Sequence, residues 1–120
     1  MIQYMEIVES LNLRLSDHVL LVSIPEQRMY HQYLEETVKT YVISTSRNPP
    51  SCLVDSLGTP WGLHEVCEII GTDEPWGMVF IGRKPTGNLF SEYSSSERKK
   101  NMITTRILRL RGLEKGVNCG

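Results

Sequence analysis

His64 and Cys67 stand three residues apart in "GLHEVCEIIG", and their types are those of covalent catalysis: a thiol to attack and an imidazole to accept its proton. Geometry decides whether they meet. Three residues apart they share a face on a helix, but on a strand they point to opposite faces. The segment alternates Leu63, Glu65, Cys67 and Ile69 against His64, Val66, Glu68 and Ile70, which predicts a strand. A local Cys–His pair is therefore not expected, and Cys67 is read as a buried apolar thiol. Cys52, His64 and a third residue match no recognised metal-ligand spacing. Cys52, Cys67 and Cys119 form an odd set without a CxxC, which speaks against a disulfide scaffold or a four-ligand zinc site and for reduced thiols.

The run Gly58, Thr59, Pro60, Trp61, Gly62 breaks any helix. Its glycines permit positive φ and Pro60 sets a turn corner, so backbone amides could approach a ligand there. The simpler expectation is a chain reversal before the strand that follows. Arg106, Arg109 and Arg111 alternate with Ile107, Leu108 and Leu110. Three guanidinium groups cannot all enter a core, so some are solvated or paired; an anion site competes with a solvated face, and the face is preferred. Glu97, Arg98, Lys99 and Lys100 read as the solvated tip of a loop, and Arg83 and Lys84 receive the same assignment. Residue chemistry alone supplies no catalytic set.

The elements that position these groups follow from periodicity. Ile2, Met5, Ile7, Val8 and Leu11 lie near helical spacing, which predicts a short amphipathic helix ending at Asn12. "HVLLVSI" and "RMYHQYL" flank a "PEQ" break and predict a β-hairpin with Pro25 at its bend or on an edge. Residues 38–46 alternate as a further strand. Residues 47–61 form a long connection of the kind that is functional or mobile. "GTDEPWG" is a turn cluster, "GMVFIGR" a short apolar strand, and "FSEYSSSERKKN" an exposed loop or frayed helix. "NMITTRILRLRG" predicts one continuous strand, and "LEKGVNCG" has no apolar period.

The chain has 120 residues, the size of one ordinary domain, and 13 Lys and Arg against 14 Asp and Glu. That balance speaks against a general nucleic-acid binder, whose footprint is a basic excess. No apolar run reaches the roughly 18 residues of a membrane-spanning helix. "MIQYMEIVES" is acidic and lacks a long apolar centre, so no signal peptide is visible and the compartment stays unassigned.

Taken in order, these segments resemble the catalytic domain of L,D-transpeptidases, the YkuD-type or ErfK/YbiS-like family. "HVLLVSIPEQRMYHQY" is similar to an early hairpin of that family. "YVISTS" stands where the family has a "vSTG"-like strand end, and "TPWGLHEV" at residues 59–66 matches a "TPxGxhxI"-like element. "GMVFIGRKPTG" and "NMITTRILRLRGLEKGVN" resemble one branch of the family, so the likeness spans roughly residues 16–120.

The resemblance implies a mainly β fold: a partial L,D-transpeptidase-type β-sandwich over residues 16–120, truncated at its C-terminal end, after a helical segment at residues 1–15. It implies acyl transfer through a cysteine thioester with a peptidoglycan stem peptide, outside the cytoplasmic membrane, without metal or organic cofactor. The family nucleophile sits in a "[ST]HGC"-like motif preceded by an "iHG"-like strand, and these 120 residues contain neither. Cys119 has no Ser-His-Gly before it and is not assigned that role. No catalytic residue is therefore assigned, substrate-binding residues stay open, and the chain alone is expected to be inactive. A non-enzymatic β module that binds stem peptides or a protein partner is the alternative. Loss of C-terminal strands would leave a sheet edge open to self-association.

Overall fold

The apolar positions of this chain sort mostly at period two. Its structure, a computed structural model that describes residues 3–98 and 102–118, is accordingly mainly β, with a short helix at the start. Ile2, Lys99, Lys100 and Cys119, which figure above, lie outside the described residues. Eight strands are described, in three sheets. They group into two compact units, Met1–Leu63 with Glu114–Gly120, and His64–Leu113.

In the first unit, helix α1 (Gln3–Ser10) buries Val8 and ends where expected, with Asn12 at φ +54° and Leu13 N–H donating to the Val8 carbonyl. The predicted hairpin forms: β1 (His18–Ser23) pairs antiparallel with β2 (Arg28–Tyr33), and Pro25 lies in the turn between them. β2 then pairs with β3 (Glu36–Val42) across a two-residue turn, with Leu34 at φ +49° and Glu35 at φ +72°. Two positive φ values make this the primed turn whose twist suits a hairpin, although neither residue is the glycine or asparagine that usually marks it.

The strand expected over residues 38–46 begins earlier and stops at Val42. β2 starts at Arg28, so no strand lies opposite residues beyond Val42. Gln27 takes over instead: its carbonyl accepts from Ile43 N–H at 3.0 Å and its side chain brackets Thr45. β3 is an edge strand and is exposed along its whole length.

In the second unit, β4 (His64–Ile70) pairs antiparallel with β8 (Ile107–Gly112). β5 (Met78–Ile81) is the centre of a sheet with β6 (Lys84–Leu89) and β7 (Ile103–Thr104) at its sides. Met78, Val79 and Phe80 are buried, so the short "MVF" run supplies the core of this unit. β6 covers "KPTGNL", a stretch to which the sequence reading assigns no element and whose Pro85 and Gly87 disfavour a strand. Its edge position tolerates them, since a proline without N–H costs no ladder bond on the open side.

The single strand expected over residues 101–112 is, in its described part, two strands in two sheets. Thr105 adopts φ +71° and gives its N–H to the Met78 carbonyl at 2.8 Å. Arg106 then caps the carbonyls of Thr72 and Glu74. Ser94 and Glu97 reciprocally cap α2 (Ser95–Arg98), a single turn of helix within the segment read as a loop or frayed helix.

Two measurements test this description. Phe80→Ala should lower the unfolding free energy by about 3–5 kcal/mol. Ile81→Ala, at a position 71% exposed, should change it by only about 0.5 kcal/mol. Urea denaturation followed by circular dichroism distinguishes them. In the hairpin, Tyr30 donates to the Glu26 carboxylate at 2.8 Å; that bond, then desolvation and the carboxylate's charge, raise the phenol above its ordinary value of 10.0, with Arg28 opposing. The neutral phenol is the favoured form, so the bond's contribution is present below the unfolded phenol's pKa and is lost as pH rises through the raised value. NMR titration of the Tyr30 ring should show this, and Glu26→Gln should bring it back toward the ordinary value.

Candidate functional site

Residues 59–62 form the turn that the sequence singles out. Pro60 fixes one corner, and Gly62 takes φ +91°. A side chain at Gly62 would strike the Glu114 carboxylate and the Asn118 amide. Those two groups grip the backbone beside it. Leu63 N–H donates to Glu114 Oε2 at 2.7 Å, and Asn118 Nδ2 donates to the carbonyls of Trp61 and Leu63 at 2.9 and 3.1 Å. The grip is itself braced, because Glu114 N–H donates to Asn118 Oδ1 and Asn118 N–H to the Glu114 carbonyl. Nothing in the aperiodic "LEKGVN" announced this role.

The preceding loop is tied to the same turn. Thr59 accepts from Ser46 N–H through its hydroxyl, at 2.9 Å, and from Ser51 N–H through its carbonyl, at 3.1 Å. Ser46 Oγ donates to the Leu57 carbonyl, and Asn48 Nδ2 to the Ser56 carbonyl at 3.0 Å. Trp61 N–H points at Cys52 Sγ, 3.4 Å away. Gly58 is not at positive φ; it is small because the Pro49 carbonyl and the Ser51 N–H crowd the place where a Cβ would stand. The amides of Trp61 and Leu63 are thus spent on the protein's own Cys52 and Glu114. The turn is a brace before β4 and not an open cradle. Trp61, half exposed on that brace, is the side chain it presents.

His64 and Cys67 are on one strand, as expected, but the strand is not regular. A bulge at Cys67 makes Val66 face Leu110 while Glu68 faces Arg109. This corrects the alternation drawn from the sequence. Glu65 and Glu68, expected on opposite faces, share one face, where Glu65 pairs with Arg111 and Glu68 with Arg109 at 2.9 Å. Cys67 is exposed and not a buried apolar thiol; its Sγ donates to the Arg109 carbonyl at 3.5 Å. The bulge leaves it outside the regular pairing. Cys52 is half-buried, and both described cysteines are free thiols.

The three arginines are all engaged: Arg109 and Arg111 with the acids of β4, and Arg106 with carbonyl oxygens of Thr72, Glu74 and Thr105. Arg83 and Lys84 are exposed at the turn joining β5 to β6. Among the described residues no group of three or more His, Cys, Asp or Glu is arranged to hold a metal ion. No helix is long and apolar enough to cross a membrane.

The hairpin creates one polar contact that the sequence did not single out. His18 on β1 and His31 on β2 bring Nδ1 and Nε2 to 2.9 Å, and the His18 ring lies 4.8 Å from that of Tyr33. The signal that could have found the pair is the hairpin register, which places His18 opposite Tyr33 and Leu20 opposite His31.

No protein family, curated protein or solved structure compared with this chain matches it.

Gly62→Ala and Gly77→Ala separate the brace from simple backbone cost, because Gly77 has a similar φ of +88° with open space around it. Gly77→Ala should cost about 1–2 kcal/mol of stability. Gly62→Ala should cost about 3 kcal/mol or more, since it also dislodges the charged hydrogen bond to Leu63. Equal losses on urea denaturation would show that the Glu114 and Asn118 contacts contribute nothing.

Proposed function

We propose that this chain supplies the early strands of an L,D-transpeptidase-type catalytic domain and contributes scaffold without the nucleophile. The observation that supports this reading is the order of its parts. A paired hairpin leads to β3, which stops at Val42 inside "YVISTS", and Thr45 and Ser46 just beyond it are pinned by Gln27 and Thr59. A braced "TPWG" turn then opens directly onto β4. The partial β-sandwich that the family likeness implies belongs to the same proposal, as does the peptidoglycan stem peptide as substrate class.

The family reaction attacks an amide carbonyl with a thiolate, holds the oxyanion by hydrogen bonds and passes the acyl group to an amine. Within these 120 residues neither "[ST]HGC" nor its preceding "HG" strand occurs. Cys67 lies three residues beyond His64, at the bulge itself, with its sulfur turned to a carbonyl that stabilises no thiolate. The chain therefore performs no acyl transfer by itself.

A second reading has one observation in its favour. Trp61 is 51% exposed on a turn held rigid from both sides, the setting of an aromatic contact for a ligand. Under this reading the chain is a non-enzymatic β module that binds stem peptides.

Incubation of the 120-residue chain with a stem tetrapeptide and an amine acceptor should give no thiol-dependent product. Any product abolished by Cys67→Ser would overturn the scaffold assignment. Titration with the same peptide separates the two readings: a saturable fluorescence change that disappears in Trp61→Phe is the outcome of the binding module, and an unchanged signal is that of the scaffold alone.

A further inference from the structure

At the end of the β1–β2 hairpin away from Pro25, a cleft of about 140 Å³ opens to solvent. The strand register builds it. Leu34 N–H donates to the Asp17 carbonyl at 2.9 Å, which carries the pairing one step past His18↔Tyr33. Asp17 and Val19 therefore share one face of the sheet with Leu34 and Gln32. Leu15, Val19 and Leu34 line the cleft with apolar side chains, and Gln32, only 2% exposed, adds a buried amide. The primed turn, with Glu35 at φ +72°, brings a second carboxylate to the lining beside that of Asp17.

Among the described residues neither of these carboxylates has a hydrogen-bond or ion-pair partner. Both residues are exposed, so two unpaired anions stand at the mouth of a partly apolar cleft. An occupant that is cationic at one end and apolar at the other satisfies both parts of that lining. The volume limits its size: a cavity of about 150 Å³ admits benzene, so this cleft holds about five or six non-hydrogen atoms.

We propose that the cleft binds a primary ammonium group on a short unbranched alkyl stem, the chemistry of a lysine side chain or a small free alkylamine. The stem lies along Leu15, Val19 and Leu34. The ammonium has three N–H donors, which go to Asp17, Glu35 and the amide oxygen of Gln32. That oxygen has two lone pairs, so it accepts from a ligand as well as from a partner within the protein. A bare metal ion would leave the apolar wall unused, and among the described residues no three His, Cys, Asp or Glu are grouped to hold one. The site stands apart from the function proposed above and does not rest on it.

The probe is n-butylamine hydrochloride, titrated into the full 120-residue chain at constant ionic strength and followed by NMR. The methyl signals of Leu15, Val19 and Leu34 should shift and saturate in the millimolar range, the affinity open to so small a ligand. Ammonium chloride, which lacks the stem, and n-butanol, which lacks the charge, should produce no saturable shift there. Asp17→Asn and Glu35→Gln, checked for folding by circular dichroism, should each weaken binding about threefold or more, and Glu36→Gln should leave it unchanged. Lysine blocked at both backbone ends identifies the source: tighter binding than butylamine assigns a protein side chain, and equal or weaker binding a free alkylamine. No saturation, the same shifts with ammonium chloride or butanol, or unchanged affinity in either carboxamide variant would each overturn the site.

Discussion

Two side chains near the end of the described chain hold its middle. Glu114 and Asn118 reach back more than fifty residues to satisfy Leu63 N–H and the carbonyls of Trp61 and Leu63. Without them, the Leu63 N–H and carbonyl would depend on water, and the Trp61 carbonyl would keep only the weak contact from Cys52 Sγ at 3.7 Å. The grip fixes the point where the long 43–63 connection ends and β4 begins. It also explains Gly62, whose missing side chain is the space that the carboxylate occupies.

The same economy governs the loop. Its serines, threonine and asparagine are bonded to loop backbone, which gives residues 46–59 a defined path without a helix or strand. Short polar side chains suit this because they bond backbone groups a few residues away at little entropic cost. The turn amides that a phosphate or carboxylate ligand would need are consumed within the protein. A ligand-binding role for this region therefore falls to exposed side chains such as Trp61, and not to a nest of free N–H groups.

One extra residue reorganises the second unit. The bulge at Cys67 changes the phase of β4, so that Glu65 and Glu68 line up with Arg111 and Arg109. Both pairs are largely solvent-exposed, and pairs of that kind contribute about 0–1 kcal/mol each. Their consequence is in register more than in stability: a slip of β8 by one residue would set the arginines against Val66 and Ile69. The opposite face keeps Val66, Ile69, Leu108 and Leu110, all exposed. His64 and Cys67 are thereby members of a structural ribbon, and the spacing that first drew notice to them is the spacing of a strand with a bulge.

Local chemistry determined the α1 helix with its stop at Asn12, the β1–β2 hairpin, and the strands around residues 64–70 and 78–81, because each rests on apolar period and turn residues read over a few positions. The rest depended on partners distant in the chain. β3 stopped at Val42 because β2 offers nothing opposite beyond Arg28. β6 formed despite Pro85 because an edge accepts a missing donor. Residues 102–112 split at Thr105 because β5 and β4 recruit the two halves into different sheets. The candidate site divides in the same way. A turn at residues 59–62 was legible from its glycines and proline, while the hands that hold it, Glu114 and Asn118, were not, since no periodicity links positions more than fifty apart. The approach of His18 to His31 needed the hairpin register, which is a property of the paired strands and of neither strand alone.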